Sequence, residues 1–146
     1  MALNGEYVPP TMDWVREHVD QIESSGGSEG MTMQGVPVIM LRHRGAKTGA
    51  VRKSPLIKVE HEGRYAAVAS LGGAPKHPQW YFNLKAHPEI ELQDGTETKQ
   101  LVAREVTGDE KSRWWKYAAE VFPTYDEYQS KTDREIPLFV LEPAKG

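Results

Sequence analysis

Five cations, Arg42, Arg44, Lys47, Arg52 and Lys53, fall within the stretch "RHRGAKTGAVRKSP" at residues 42–55, with Gly45 and Gly49 between them. Glycine frees the backbone to bend, and Thr48 and Ser54 add hydroxyls. Such a loop can surround a phosphate or an acidic tail with N–H groups and charge-assisted bonds. It is not a nucleotide-hydrolysing P-loop. That motif needs G-x-x-x-x-G-K-[ST], whereas here Ala46 precedes Lys47 and Leu41 stands in the place of the first glycine. A second loop, "SLGGAPKHP" at residues 70–78, has glycines and prolines that let backbone approach a flat ligand, and it leads into "QWYFN". Trp80, Tyr81 and Phe82 each suit a core position. Their closeness to the glycine-rich turn favours a planar pocket, with the Asn83 amide as its polar handle. In "FPTYDEYQ", Tyr125 and Tyr128 lie three apart and share a helix face, either as amphipathic packing or as a pocket rim offering a phenolic proton.

What is missing narrows the chemistry. His18, His43, His61, His77 and His87 lack metal-ligand spacing, so no metal site is expected. There is no cysteine, which removes thiolate metal sites, thiol catalysis and disulfides and suits a reducing cytoplasm. No G-x-S-x-G elbow is present. Cations, glycines and aromatics without an acid–base team suit a cofactor that brings its own reactivity.

Charge is uneven along the 146 residues. The formal net charge is −3, yet no carboxylate occurs between residues 30 and 59. A basic middle in an acidic chain fits a local anion site, or else a solvated edge paired with the acidic flanks. The overall acidity, and the gathering of cations in one loop, argue against a nucleic-acid binder using basic grooves and aromatics. The longest apolar run, residues 36–41, is far too short to span a bilayer, and the start of the chain lacks the pattern of a secretory signal.

The elements that must position these loops follow from periodicity. Thr11 suits a helix N-cap, and Met12, Val15, Val19 and Ile22 recur at helical spacing; "SSGGSEG" (24–30) then reads as a flexible linker. Residues 1–30 are therefore expected to be a helical arm and linker, and residues 31–146 the main domain. The arm either docks on that body or closes over a site. Trp14, beside its apolar stripe, suits packing on the body or a ligand contact. The runs "VPVIMLR", "PLIKVE", "RYAAVA", "EIELQ", "TKQLVAREV" and "EIPLFVLEP" read as about six strands joined mainly by hairpin-length turns, "HEG" and "DGTE" among them. Pro137 suits an edge or a strand start. Three helices interrupt them: one bracketed by Pro78 and Pro88, one with Thr107 and Glu110 at capping-box spacing and a Trp114, Ala118, Val121 stripe, and one with Thr124 and Glu127. The expectation is an α+β, mainly β domain, a small barrel or strongly curved sheet of largely antiparallel strands with peripheral helices.

The motifs "GAKTGAVRKSPL", "SLGGAPKHPQWYFNLKAHP" and "FPTYDEYQSKTDREIPLFVLEP" resemble those of the deazaflavin-dependent nitroreductase and quinone reductase family of actinobacteria, which uses coenzyme F-420. The resemblance covers residues 36–143 and implies a split β-barrel with the cofactor in a groove. By position it implicates Ala46, Lys47, Thr48, Arg52, Lys53, Ser54, Pro55, Leu56 and Ile57 in holding the phosphate and oligoglutamate tail. Val68, Ala69, Ser70 and Leu71, with Gln79, Trp80, Tyr81, Phe82 and Asn83, would meet the deazaflavin ring and its linker. Tyr125 and Tyr128 would face the ring from the substrate side, with Phe122 in the same substrate pocket and Tyr125 or Ser70 as proton donor; Trp14, outside the span of the resemblance, is expected to complete that pocket if the arm closes over it. The resemblance departs at Phe122, where nitroimidazole-reducing members tend to carry a tyrosine; this points away from nitroreduction and leaves quinones or enones as acceptors. Members can associate with membranes through the N-terminal region, but here that region is short and acidic, so a cytoplasmic monomer or homodimer is expected. The implied activity is hydride transfer from reduced coenzyme F-420 to a small electron-poor acceptor: a quinone, an unsaturated lactone or other activated enone, or a nitroaromatic. An FMN-dependent enzyme of the same fold and a non-catalytic deazaflavin-binding module are the alternatives; FMN lacks the polyanionic tail that so many cations would serve.

Overall fold

The computed structural model describes residues 6–144 apart from Thr11 and Gln34, and among these it places eight strands and four α-helices. In chain order they are α1 (Asp13–Ser24), β1 (Thr32–Met33), β2 (Val36–Arg44), β3 (Val51–Ile57), β4 (Glu60–His61), β5 (Arg64–Val68), α2 (Gln79–Ala86), β6 (Glu89–Asp94), β7 (Glu97–Val106), α3 (Gly108–Val121), α4 (Thr124–Ser130) and β8 (Leu138–Glu142). The six longer strands correspond to the six expected runs; β1 and β4 are two-residue additions. Every pairing of these strands is antiparallel. Strands β1 and β3 both pair with β2, and the sheet continues β2-β6-β7-β8-β5-β4.

Chain connectivity makes this sheet curl. Strands β3 and β4 lie at opposite ends of the ladder, yet only Lys58 and Val59 separate them. Three Cα–Cα steps reach at most about 11 Å, so the two ends must approach each other. The Lys58 N–H donates to Pro37 O of β2, and the Ala66 N–H of β5 donates to Val59 O, which ties that crossing to both ends. This is also why the expected continuous strand over residues 55–60 is broken. The β4–β5 turn uses Glu62 (φ 53°) and Gly63 (φ 81°), both left-handed as a two-residue hairpin requires. Pro137 precedes β8, a central strand, so it marks a strand start and not an edge.

Alternation along the strands produces two apolar layers. Tyr65, Ala67, Phe139 and Leu141 join Ile39, Leu41 and Leu92 beneath Trp80 and Leu84 of α2. Ala66, Val68, Leu138 and Val140 face the other way, onto Trp114 and Ala118 of α3 and Tyr125 of α4. Val121, expected in the α3 stripe, is exposed. Neither expected capping box closes. Thr107 sits at the N-cap of α3 without a side-chain bond, and Glu110, which would close the box from the other side, is held bidentately by Arg104 at 2.8 Å. Thr124 is the first residue of α4, with Pro123 at the cap position.

The N-terminal helix docks on the sheet. Val19 and Ile22 bury against Met40 of β2, and Glu23 ion-pairs with Lys53 and with Arg42 (3.3 Å). Its N-cap position is Met12; Thr11, expected in that role, lies outside the described residues. Residues 24–30 do not behave as a flexible linker. The Ser25 hydroxyl bonds to Ile22 O and Glu29 O, and the Gly27 N–H donates to Ile22 O at 2.9 Å. Gly27 (φ 91°) presses on the β6–β7 turn so closely that an added Cβ would fall 1.8 Å from Gly95 O.

Candidate cofactor-binding cleft

The basic stretch is mostly strand. Arg42 and Arg44 belong to β2, and Arg52 and Lys53 to β3, so the connecting loop shrinks to residues 45–50. That loop is self-supporting: the Gly45 N–H donates to Ala50 O (2.7 Å), the Gly49 N–H to Gly45 O (2.9 Å), and the Ala50 N–H to Thr48 Oγ1 (3.2 Å). Gly49 holds φ 70°, where a Cβ would be strained. The Ala46 N–H donates to Asn83 Oδ1 (2.9 Å), which ties the loop to α2. Among the described residues nothing accepts from the N–H groups of Lys47 and Thr48.

Of the five cations, three are occupied. Arg42 pairs with Glu91 at 2.9 Å and with Glu23, Lys53 pairs with Glu23 and lies 4.2 Å over the Tyr7 ring, and Arg44 donates to Gly49 O. Burial pushes the Glu23 carboxyl up, but hydrogen bonds from Lys53 and Arg42 outweigh it and hold the group below the usual carboxylate range. Lys47 and Arg52 have no carboxylate partner among the described residues.

These two cations mark one end of a bipartite cleft. A cavity of about 280 Å³ is lined by Gly45, Ala46, Lys47, Thr48, Arg52, Gln79 and Asn83. A second, of about 320 Å³, shares Arg52, Gln79 and Asn83 and runs on along Lys53, Ser54, Pro55 and Leu56 of β3, Trp80 of α2 and Leu71. Its far wall is the N-terminal segment: Pro10, Met12, Trp14 and Val15. Trp14 is 58% exposed, so it stands in the cleft wall instead of packing on the body. One end of the cleft is thus cationic and rich in free amides, and the other is apolar and flat-sided.

The structure therefore brings together Trp14, Ala46, Lys47, Thr48, Arg52, Lys53, Ser54, Pro55, Leu56, Leu71, Gln79, Trp80 and Asn83. Others fall elsewhere for reasons of periodicity. Gln79, Trp80 and Asn83 share one side of α2, whereas Tyr81 and Phe82 turn away; Tyr81 stacks on His77 and donates to Glu105, and Phe82 is 46% exposed. Ile57 and Val68 point into the layer under α3 and α4, and Ala69 into the layer under α2. Ser70 is buried at the foot of a 3-10 turn (Leu71–Gly73) whose flanks are clamped by Arg134. The Arg134 guanidinium donates to Ala69 O (3.1 Å), Ser70 O (2.7 Å) and Ala74 O (2.8 Å), and lies 3.1 Å from His77 Nδ1. Leu71 is held there at φ 44°, a left-handed backbone uncommon for a side chain of its size.

Phe122, Tyr125 and Tyr128 do not line the cleft. They form an aromatic cluster with Trp115, the Phe122 and Tyr125 rings 5.1 Å apart, and α4 packs behind the Leu71–Gly73 turn. Burial, then the neighbouring Tyr128, pushes the Tyr125 phenol up, so it stays protonated at neutral pH. His43 is the residue that sequence reasoning overlooked. It is 2% exposed on the cleft floor, between Ser54 Oγ at 3.0 Å and Asn83 Nδ2 at 3.1 Å. Burial, with a smaller contribution from Arg52, pushes its pKa down to about 3. The available signal was strand alternation: Ile39, Leu41 and His43 share one face of β2.

A curled antiparallel sheet, whose apolar slot ends at an amide-rich cationic turn, defines a split-barrel protein with an amphipathic cleft. Residues 14–143 match the family model described as F420H(2)-dependent quinone reductase, and the chain belongs to that family. An F420H(2)-dependent quinone reductase of Mycobacterium tuberculosis (strain ATCC 25618 / H37Rv) is 35% identical over 141 residues, covering 88% of this chain and 95% of the relative. A solved structure described as an F420-H2 dependent reductase is 51% identical with a TM-score of 0.70, covering 73% of this chain and 94% of that one. Another, described as a domain-swapped dimer, is 48% identical with a TM-score of 0.72 over 89% and 98% of the two chains.

Proposed function

We propose that this chain binds reduced coenzyme F-420 in the cleft and serves a two-electron reduction of a quinone. The observation that carries the reading is the pairing of an apolar slot with two unpaired cations at one end. Bound there, the reduced coenzyme supplies the hydride. The chain's own residues fit such a group. Lys47 and Arg52, with the N–H groups of Lys47 and Thr48, would hold its anionic end. Pro55, Leu56, Trp80 and Leu71 would flank its flat ring and exclude water. FMN, lacking the polyanionic tail, makes less use of that loop.

Residues 31–146 act in this reading as the cofactor-binding domain, and residues 1–30 as an arm whose Pro10, Met12, Trp14 and Val15 wall the cleft opposite β3. Of the two expected proton donors this reading keeps Ser70, because Tyr125 does not line the cleft. Ser70 adjoins Leu71 of the cleft wall, and Tyr125 belongs to the layer behind the same turn. A homodimer belongs to the proposal as well, supported by the similar protein described as a domain-swapped dimer. No helix among the described residues is long and apolar enough to cross a membrane. The test is a titration with F-420 and with FMN, followed by anaerobic mixing of the loaded, reduced protein with quinones, activated enones and nitroaromatics. Tighter binding of F-420 and turnover with quinones are expected; tighter FMN binding, or F-420 binding without turnover across the panel, overturns the reading.

A further inference from the structure

A chain of forced hydrogen-bond polarities runs through the cleft floor. It starts at the Ala46 N–H, a backbone donor that cannot reverse its role, 2.9 Å from Asn83 Oδ1. Gln79 Nε2 approaches the same oxygen at 3.4 Å, so the Asn83 amide has one permitted orientation. Its NH₂ then points at His43 Nδ1, 3.1 Å away, which obliges that nitrogen to accept. A neutral imidazole with an accepting Nδ1 carries its hydrogen on Nε2. Nε2 lies 3.0 Å from Ser54 Oγ, so His43 donates and Ser54 accepts. The Ser54 hydroxyl hydrogen must then go elsewhere, and no acceptor for it is found among the described residues. Ser54 lines the larger cavity, beside Arg52 and Asn83 where the two cavities meet.

We propose that His43 is a positioning residue: held as the Nε2–H tautomer by Asn83, it occupies a lone pair of Ser54 and turns the Ser54 hydroxyl hydrogen into the cleft, committing that point of the wall to a hydrogen-bond acceptor on the bound coenzyme. This rests on the coenzyme F-420 reading for the identity of the ligand, but the polarity of the network does not. Burial reinforces the arrangement, since an imidazolium would confront the Asn83 NH₂ with a second donor and stand beside the Arg52 charge. Because the same Asn83 anchors Ala46, the network also fixes the register between the anion-holding loop and helix α2.

The first measurement uses the ligand-free protein. Nitrogen NMR of histidine-labelled chain should show His43 as the Nε2–H tautomer throughout pH 5–8; an Nδ1–H tautomer, or protonation within that range, overturns the proposal. The second is fluorescence titration with F-420. Ser54→Ala and His43→Leu should each raise Kd about tenfold, as the loss of one hydrogen bond to a polar ligand group does. If His43 acts through Ser54, the double variant should bind within about twofold of either single variant. His43→Gln, whose amide can donate to Ser54 and accept from Asn83, should recover most of the affinity and serves as the folded control. Wild-type affinity in Ser54→Ala, or losses that multiply in the double variant, refute the positioning role. Failure of the wild type to bind F-420 would remove the functional reading instead, and the tautomer would then decide the network alone.

Discussion

Two residues of the basic stretch differ from their neighbours only through their partners. Lys47 and Arg52 lack carboxylate partners among the described residues, whereas Arg42 and Lys53 spend their charge on fastening helix α1. Lys47→Ala with Arg52→Ala should therefore weaken F-420 binding, by roughly 1.5–3 kcal/mol for the better-shielded contact and most strongly at low salt. Fluorescence titration at two ionic strengths checks this, and equal affinity would move the anionic end elsewhere. Arg42→Ala should instead lower stability. His43 carries a pH signature of its own. Its folded pKa, about 3, lies below the ordinary 6.5, so the unfolded chain takes up a proton first as the solution is acidified. Stability should fall between pH 6.5 and 3 with a slope of up to about 1.4 kcal/mol per pH unit, and His43→Gln should remove that component in urea unfolding across the range.

At the scale of elements, the turn after β5 depends on one side chain from far along the chain. Arg134 supplies the donors for three carbonyls on the flanks of Leu71. Arg134→Met keeps the apolar stem but leaves those acceptors unpaired; a loss of about 2–3 kcal/mol and faster amide exchange over residues 69–74 are expected. Arg134→Lys should recover little, because an ammonium cannot span the three positions of the planar fork. Helix α1 depends similarly on Glu23. Its folded pKa is depressed below the ordinary 4.5, so its contribution is present above pH 4.5 and disappears as the pH falls through the lower folded value. Amide exchange in α1 should rise over that window ahead of exchange in β7 and β8. Glu23→Gln should show the raised exchange already at neutral pH.

The whole molecule is held by two closures. Lys58 and Val59 join the two ends of the sheet, and Gly27 seats the N-terminal segment on the β6–β7 turn. An alanine at position 27 would drive its methyl into Gly95 O while adopting a left-handed backbone. Gly27→Ala should lower the thermal midpoint by several degrees and loosen the wall that carries Met12 and Trp14. Scanning calorimetry, with the fluorescence of the exposed Trp14 as a second probe, tests whether wall and sheet then still unfold together.

Local chemistry made much of this visible in the chain. The period-2 runs announced the six longer strands, the prolines bracketed α2, and the carboxylate-free middle drew attention to the turn at residues 45–50 that lines one end of the cleft. Residue types alone also excluded thiol and P-loop chemistry. Those features depend on near neighbours along the chain, which is why they can be read from it. Tertiary structure decided which of five cations remain unpaired, because Glu23 and Glu91 arrive from distant elements. It also decided that Thr107 and Thr124 form no capping boxes, that "SSGGSEG" is a packed turn, and that Tyr81, Phe82 and Tyr125 leave the cleft while Trp14 enters it. His43 shows the reason most plainly: its tautomer is set by an amide forty residues away and a serine across the hairpin, and such polarity exists only once those groups have been brought within hydrogen-bond reach.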